Sequence, residues 1–224
     1  PPSSVWPPHW FHMDDADNNA EDFVQMMEAY GHTRKFVYGN ENFWPGDLVS
    51  RTVAGGADNL YADNANVLFV TGYGTSSFGD YGIKTGSKRP VAGTETCISR
   101  LNYPYNNWML GDGQLRILCL LASRSLRLDY LRIYNPVANG LHLITGCDGN
   151  IADVPNVGYN VAYFGNCGMT VKQTWFFNTR VERPVVMAFG DTKADALNRR
   201  DNERFTWGMA RLQNKAYRAW SWID

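Results

Sequence analysis

Three segments of this chain place polar side chains among small residues at the ends of apolar runs. They are Gly72-Tyr73-Gly74, Ser123-Arg124 and Cys147-Asp148. Glycines on both sides of a residue let the backbone turn sharply and leave the side chain between them projecting. Hydroxyl, thiol and carboxylate groups presented in this way predict a site that binds or transforms a ligand.

The two hydroxyl groups limit the chemistry of such a site. A phenol titrates near pH ~10, and a serine hydroxyl is a weak nucleophile unless a base lies beside it. Tyr73 and Ser123 therefore predict hydrogen-bond catalysis, with Tyr73 as donor or acid. Ser123 and nearby backbone N–H groups would stabilise a developing negative charge. The structural alternatives are a tyrosine that covers a turn and a serine that fits where a strand meets a helix.

Other residues near these segments are candidates for contact with the ligand. The chain holds 8 Trp, 12 Tyr and 11 Phe, more aromatic surface than a core of this size requires, so aromatic rings are expected to form part of a pocket. The predicted substrate-binding residues are Gly72, Gly74, Phe78, Arg124, Cys147, Asp148 and Trp175.

No metal site and no cofactor is predicted. The run 15–19 offers alternating oxygen ligands, as a calcium loop does, but it lacks the glycine and the terminal glutamate of that loop. His9 and His12 have a spacing that would suit a metal, but they lie in an aromatic, proline-rich lead that more simply packs against the domain. His142 lies within an apolar run and is interpreted as a core histidine.

Apolar runs and helical periodicity predict the elements that must position these residues. Phe23, Met27 and Tyr30 recur at helical spacing before Gly31, and a second helix is predicted at 169–179. Strands that alternate with helices predict an α/β fold, a three-layer sandwich with a mainly parallel sheet. The ligand site of such a sheet lies beyond the carboxyl ends of its strands. Buried strands are predicted at 36–38, 66–70, 115–121, 141–145 and 185–189.

Length and composition exclude several classes of protein. The 224 residues predict a single domain over 1–224, with the lead at 1–13 and a long loop at 79–107. A net charge of −1 argues against a nucleic-acid partner, and no apolar run approaches the ~18 residues of a membrane span. Four scattered cysteines in a chain too large to need disulfides, and the lack of an N-x-S/T sequon, predict a reduced, cytoplasmic setting, with a Cys147–Cys167 disulfide as the alternative. The oligomeric state is left open.

The order of these motifs resembles the caspase-haemoglobinase fold of cysteine peptidases, which includes caspases, legumains and gingipains. Those peptidases carry the catalytic His in a Gly-His-Gly motif after one strand and the catalytic Cys at the end of the next. The resemblance is closest to a mostly bacterial branch. There a segment like Ala57-Asp58-Asn59-Leu60-Tyr61-Ala62-Asp63 precedes the His motif, and a helix like Val171-Lys172-Gln173-Thr174-Trp175-Phe176 follows the Cys motif. The resemblance spans roughly residues 31–208 and implies a caspase-like fold.

The chain departs from that family at the two positions that carry its chemistry. Tyr73 stands where the resemblance places the His, and Ser123 stands where it places the Cys. A cysteine peptidase needs a thiolate and an imidazole that exchange protons near neutral pH. The pair therefore predicts that amide hydrolysis by this route is lost, and Cys119, inside the strand, does not replace the missing thiol.

Three functions are consistent with these features. The first, which we expect, is a non-proteolytic enzyme that binds a small or lipophilic substrate in the former peptidase cleft and catalyses a cyclisation or isomerisation. The second is a pseudo-peptidase module that binds a peptide or a partner protein. The third is a cysteine peptidase whose dyad has been inactivated by engineered substitution.

Overall fold

The computed structural model describes residues 15–38, 43, 45–72, 74–75, 82–83, 108–206, 209–213 and 215–223. The expected lead at 1–13 lies outside these residues, and so does the expected loop at 79–107 apart from residues 82 and 83. Within the described ranges no helix is long and apolar enough to cross a lipid bilayer.

The described residues form four α-helices and seven strands, which build an α/β fold. The helices are α1 (Ala16–Ala29), α2 (Val157–Asn166), α3 (Val171–Asn178) and α4 (Lys193–Asn202). The strands are β1 (Val67–Thr71), β2 (Gly74–Thr75), β3 (Gly82–Ile83), β4 (Ile117–Leu121), β5 (Leu143–Cys147), β6 (Pro184–Gly190) and β7 (Tyr217–Trp222). Three 3-10 segments occupy Pro45–Asp47, Ala62–Asn64 and Leu128–Tyr134.

The main sheet is mixed rather than mainly parallel. Its strand order is β1-β4-β5-β6-β7, with β1, β4 and β5 parallel and with β6 and β7 each antiparallel to its predecessor. Between β5 and β6 the chain forms two helices, α2 and α3, which return it to the edge where β5 ends. Pro184 consequently pairs with Cys147 and β6 runs back along β5. The expectation of a mainly parallel sheet is wrong for this reason.

Four of the five predicted strands are confirmed as β1, β4, β5 and β6, and the two predicted helices are α1 and α3. The strand expected at 36–38 is wrong, because residues 32–38 have no regular secondary structure. Phe36 and Tyr38 stack on each other with ring centroids 5.4 Å apart, and both rings lie edge-on to Tyr61. These aromatic side chains pack as a cluster instead of alternating along a strand.

Each face of the sheet has its own apolar core. Along β6, Val185, Met187 and Phe189 point into one core, and Val186 and Ala188 point into the other. Helices α1, α2 and α3 cover the face that carries Val186. The opposite core is completed by residues from outside the described helices, namely Leu48, Val49, Trp108, Leu110, Leu126, Leu131, Val137 and Leu141.

Helix α2 lies against α1 through a contact that only glycine permits. The amide of Gly158 donates to Oδ1 of Asn19 at 3.0 Å, and a Cβ on Gly158 would lie 1.8 Å from the Asn19 carbonyl oxygen. Asn19 is 2% exposed and also donates through Nδ2 to the Val154 carbonyl at 2.9 Å. Asn19, from the polar run 15–19, therefore holds α2 against α1.

A Gly158→Ala variant tests this contact. We expect the free energy of unfolding to fall by about 1–3 kcal/mol, because the added methyl forces α1 and α2 apart, despite the higher helix propensity of alanine. Urea unfolding followed by circular dichroism measures the change. Asn160→Ala in the same helix is the control and should stay within ~0.5 kcal/mol of the parent chain. Equal stability of both variants would show that the helices are not packed this closely.

Candidate functional site

The strand ends that carry the predicted site residues meet at one edge of the sheet. Because β1 and β4 are adjacent and parallel, their carboxyl ends lie together, and the Gly72 amide donates to the Leu121 carbonyl at 3.2 Å. Gly74 lies directly on Ser123, since a Cβ on Gly74 would be 1.6 Å from the Ser123 carbonyl oxygen. The structure therefore brings Gly72, Gly74 and Ser123 together. Tyr73 and Phe78 lie outside the described residues.

Ser123 presents a hydroxyl group that is polarised as a donor. The side chain is half-buried, and its Oγ accepts a hydrogen bond from the Ile151 amide at 3.0 Å. A hydroxyl oxygen that already accepts a bond from an amide keeps its own proton to donate, and accepting that bond strengthens the donation. The group is suited to binding a ligand oxygen.

The backbone N–H groups of the turn after Ser123 are bonded within the protein. The amide of Arg124, whose φ is +56°, donates to the Gly149 carbonyl at 2.7 Å, and the amide of Ser125 donates to the Ala122 carbonyl at 3.2 Å. The expectation that nearby backbone N–H groups stabilise a charge on the ligand is therefore wrong for these two residues. Their bonds hold the turn instead.

Asp148 holds the segment that follows this turn through its carboxylate. Its Oδ1 accepts from the Leu128 amide at 3.2 Å and lies 3.6 Å from Arg127 Nε, while its Oδ2 pairs with Arg183 at 3.2 Å. Both carboxylate oxygens thus have partners in the protein, and the described contacts of Asp148 are structural.

Cys147 and Trp175 lie in the interior, which corrects their assignment to the wall of a ligand site. Both side chains are fully buried. The Cys147 thiol donates to the Ala122 carbonyl at 3.2 Å, and burial raises its pKa to about 11. The Trp175 indole donates to the Gly146 carbonyl at 2.8 Å. Cys147 and the exposed Cys167 are both free, so the alternative of a disulfide between them is not realised.

The described structure places no imidazole beside Ser123. His142 lies just before β5, at the opposite edge of the sheet, and is 2% exposed as a core histidine. Its Nε2 lies 2.6 Å from the Ala210 carbonyl and its Nδ1 lies 2.6 Å from Arg199 Nη1. His32 contacts Asn166 at the end of α2. Neither described histidine is placed to act as a base on Ser123.

A pocket of about 380 Å³ opens on the face of the sheet that carries Met187. Trp220 pairs with Met187 and Arg218 with Phe189, so both side chains of β7 project on this face. Trp220 is 44% exposed, and no ion pair joins Arg218 to another described residue. This pocket was not predicted from the sequence because β7 was not predicted, although Trp220 and Trp222 lie two residues apart in it. The pocket is lined by Leu128, Asp129, Leu131, Met187, Arg218 and Trp220.

Three aspartates form a second polar feature, which we call the aspartate cluster: Asp58, Asp63 and Asp112. One carboxylate oxygen of each lies within 4.8 Å of one from each of the others. Asp63 accepts from the amides of Gly111 at 2.7 Å and Gly113 at 3.1 Å. Burial raises the pKa of Asp63 to about 7, and a hydrogen bond in which Asp63 keeps its proton and donates it to Asp112 adds to this shift. The calcium-loop candidate at 15–19, in contrast, forms the start of α1.

The protein is thus of the α/β class, with the Ser123 hydroxyl at the carboxyl ends of two adjacent parallel strands. Among the described residues, neither an imidazole nor a thiolate lies beside this hydroxyl. The chain belongs to the family described as "Domain of unknown function (DUF6345)", which matches residues 11–223. No curated protein and no solved structure matches it.

The pocket beside β7 predicts binding of an anionic aromatic compound. We expect 1-anilinonaphthalene-8-sulfonate to bind with increased fluorescence, its rings against Trp220 and its sulfonate against Arg218. Arg218→Gln should raise the Kd about tenfold, because a hydrogen bond to a charged group contributes about 1.5–3 kcal/mol. A fluorescence titration of the folded chain measures the affinity.

The control for this titration is Arg180→Gln, which removes an exposed arginine outside the pocket lining. Circular dichroism checks that each variant keeps its secondary structure, since the dye also binds partly folded chains. Equal affinities for Arg218→Gln and Arg180→Gln would rule out the predicted sulfonate contact.

Proposed function

We propose that this chain is a non-proteolytic enzyme on a caspase-like scaffold, with a small or lipophilic substrate bound at the carboxyl ends of β1 and β4. The contact of Gly74 with Ser123 carries the proposal. Gly74 directly follows Tyr73, which stands where the resemblance places the catalytic His, and Ser123 stands where it places the catalytic Cys. The parallel, adjacent pairing of β1 with β4 supports the scaffold, because the resemblance implies motifs at the ends of successive strands.

The proposed chemistry is hydrogen-bond catalysis without hydrolysis. Ser123 accepts from the Ile151 amide and so serves as a donor, and no described base is placed to make it a nucleophile. Cyclisation or isomerisation needs a substrate held in a reactive shape and a donor at the atom where charge develops. The backbone N–H groups of the turn already donate to carbonyls of the protein. The donor to the developing charge is therefore the hydroxyl of Ser123, together with that of Tyr73, which is assigned from the sequence alone.

The pocket beside β7 offers a second place for a lipophilic ligand, apart from the carboxyl ends of β1 and β4. Leu128 lines this pocket, and its amide donates to Asp148 in the turn that follows β5. The volume of the pocket, about 380 Å³, lies in the range of small-molecule sites, roughly 300–1,000 Å³. A half-exposed tryptophan and buried aliphatic side chains suit an apolar body better than a peptide backbone.

The second candidate is a binding module that does not react. The hydrogen bonds of the turn after β4 favour it. Because the backbone N–H groups of Arg124 and Ser125 already donate to carbonyls of the protein, they are not available to stabilise a charge in a transition state. Mass spectrometry of an organic cell extract incubated with the chain separates the two functions. An enzyme forms an isomer or cyclised product over many turnovers, whereas a binding module only retains a stoichiometric amount of one compound.

A variant that restores the dyad tests whether the site is a former peptidase cleft. We expect Tyr73→His with Ser123→Cys to react with a fluorescent iodoacetamide at least about tenfold faster than Ser123→Cys alone, because a neighbouring imidazole lowers the pKa of a thiol. The reaction is run in a Cys97→Ser, Cys167→Ser background. Cys119 and Cys147 stay unreactive there, since burial raises their pKa values to about 12 and about 11.

The matched control places the new thiol two residues along the same turn. Ser125 is 3% exposed, and its Oγ donates to the Leu120 carbonyl at 3.0 Å, so Tyr73→His with Ser125→Cys should label no faster than the background. If the rate with Ser123→Cys is the same with and without Tyr73→His, the two positions do not share a site and the peptidase-derived cleft is excluded.

A further inference from the structure

The aspartate cluster lies at the edge of the sheet opposite to Ser123, where the segments that lead into β1 and β4 run side by side. Asp58 and Asp63 precede β1, and Asp112 precedes β4. The relative exposures of Asp58 and Asp63 are 1% and 2%, and Asp112 is half-buried. Three carboxylates so close together and so shielded from water repel one another unless a proton or a cation balances them.

The described arginines do not neutralise this cluster by ion pairs. The charge of Arg116 interacts with that of Asp63, but the guanidinium donates only to backbone carbonyls among the described residues. These bonds are 2.7 Å to Leu115, 2.9 Å to Gly113, 3.1 Å to Gly111 and 3.3 Å to Met209. The three carboxylates therefore have no salt bridge within the described part of the chain.

Asp58 supplies a second, independent observation. Its Oδ1 accepts from the Arg51 amide at 2.9 Å, but its Oδ2 is buried without a hydrogen-bond partner among the described residues. A buried carboxylate oxygen without a donor is unfavourable, and such groups in folded proteins are ordinarily paired or bound to a metal ion. The orphaned oxygen belongs to a carboxylate of the cluster, where a cation would satisfy it.

The ligand atoms suit a hard cation of the size of calcium. Oxygens within 4.8 Å of one another fit around one ion at calcium–oxygen distances of roughly 2.3–2.6 Å. Magnesium needs near-ideal octahedral geometry at about 2.0–2.1 Å and keeps most of its water ligands, so a largely buried set of three protein carboxylates suits it less well than calcium. We propose that Asp58, Asp63 and Asp112 bind one calcium ion, which joins the segment before β1 to the loop before β4.

Calorimetric titration of the EDTA-treated full chain with calcium chloride tests this proposal. We expect one calcium ion per chain and a rise in Tm with added calcium that EDTA reverses. Asp112→Asn should weaken calcium binding at least about tenfold, since it removes one charged ligand from the half-buried side of the cluster. Asp58→Asn should weaken it similarly, and circular dichroism verifies that both variants fold.

Asp17→Asn is the matched control, because Asp17 belongs to the acidic run at 15–19 and is not in the cluster. It should bind calcium like the parent chain. The proposal is overturned by the absence of heat and of a Tm shift in 1 mM calcium, by unchanged affinity in Asp112→Asn, or by loss of binding in Asp17→Asn. A larger Tm shift with magnesium than with calcium would also overturn the assignment to calcium.

Discussion

The parallel pairing of β1 with β4 is the constraint on which both polar sites depend. Five residue pairs, from Val67–Ile117 to Thr71–Leu121, fix the register of the two strands. At the amino edge, Asp63 accepts the amides of Gly111 and Gly113 and so fixes the start of β4. At the carboxyl edge, Gly74 lies against Ser123. The aspartate cluster and the serine site therefore lie beyond the two ends of one strand pair, whose five paired residues span about 17 Å at ~3.3 Å per residue.

The sequence predicts these strands well because they are buried, but burial does not determine strand direction. Each residue of β4, β5 and β6 is buried, so each strand reads as a continuous apolar run. The reversal at β6 depends instead on two helices lying between it and β5, and α2 has too few polar residues to show the periodicity of an exposed helix. Strand β7 was missed because five of its six residues are at least partly exposed.

Only those features of the candidate site that depend on one short segment of sequence could be predicted. The positions of Gly72, Gly74 and Ser123 at the ends of β1 and β4 could be predicted from local motifs, since a strand end next to small residues is visible in a single window of sequence. Trp175 was expected at the site, but a sequence does not show which face of a helix meets the sheet, and only the packing of α3 shows that the indole donates to the Gly146 carbonyl. The aspartate cluster depends on contact between Asp63 and the loop at 111–113, which no local pattern displays.

The turn after β4 shows how this fold can hold a reactive or binding group in one geometry. Arg124 adopts a left-handed backbone conformation, φ +56°, which is unfavourable by roughly 1–2 kcal/mol for a residue with a side chain. Three hydrogen bonds stabilise this turn. The backbone N–H of Arg124 donates to the Gly149 carbonyl, that of Leu126 to the Cys147 carbonyl, and that of Ile151 to Ser123 Oγ. Because several bonds determine the turn, the Ser123 hydroxyl is held in one orientation. In the function proposed above, such preorganisation would let a single donor act without the energy of reorganising around the bound molecule.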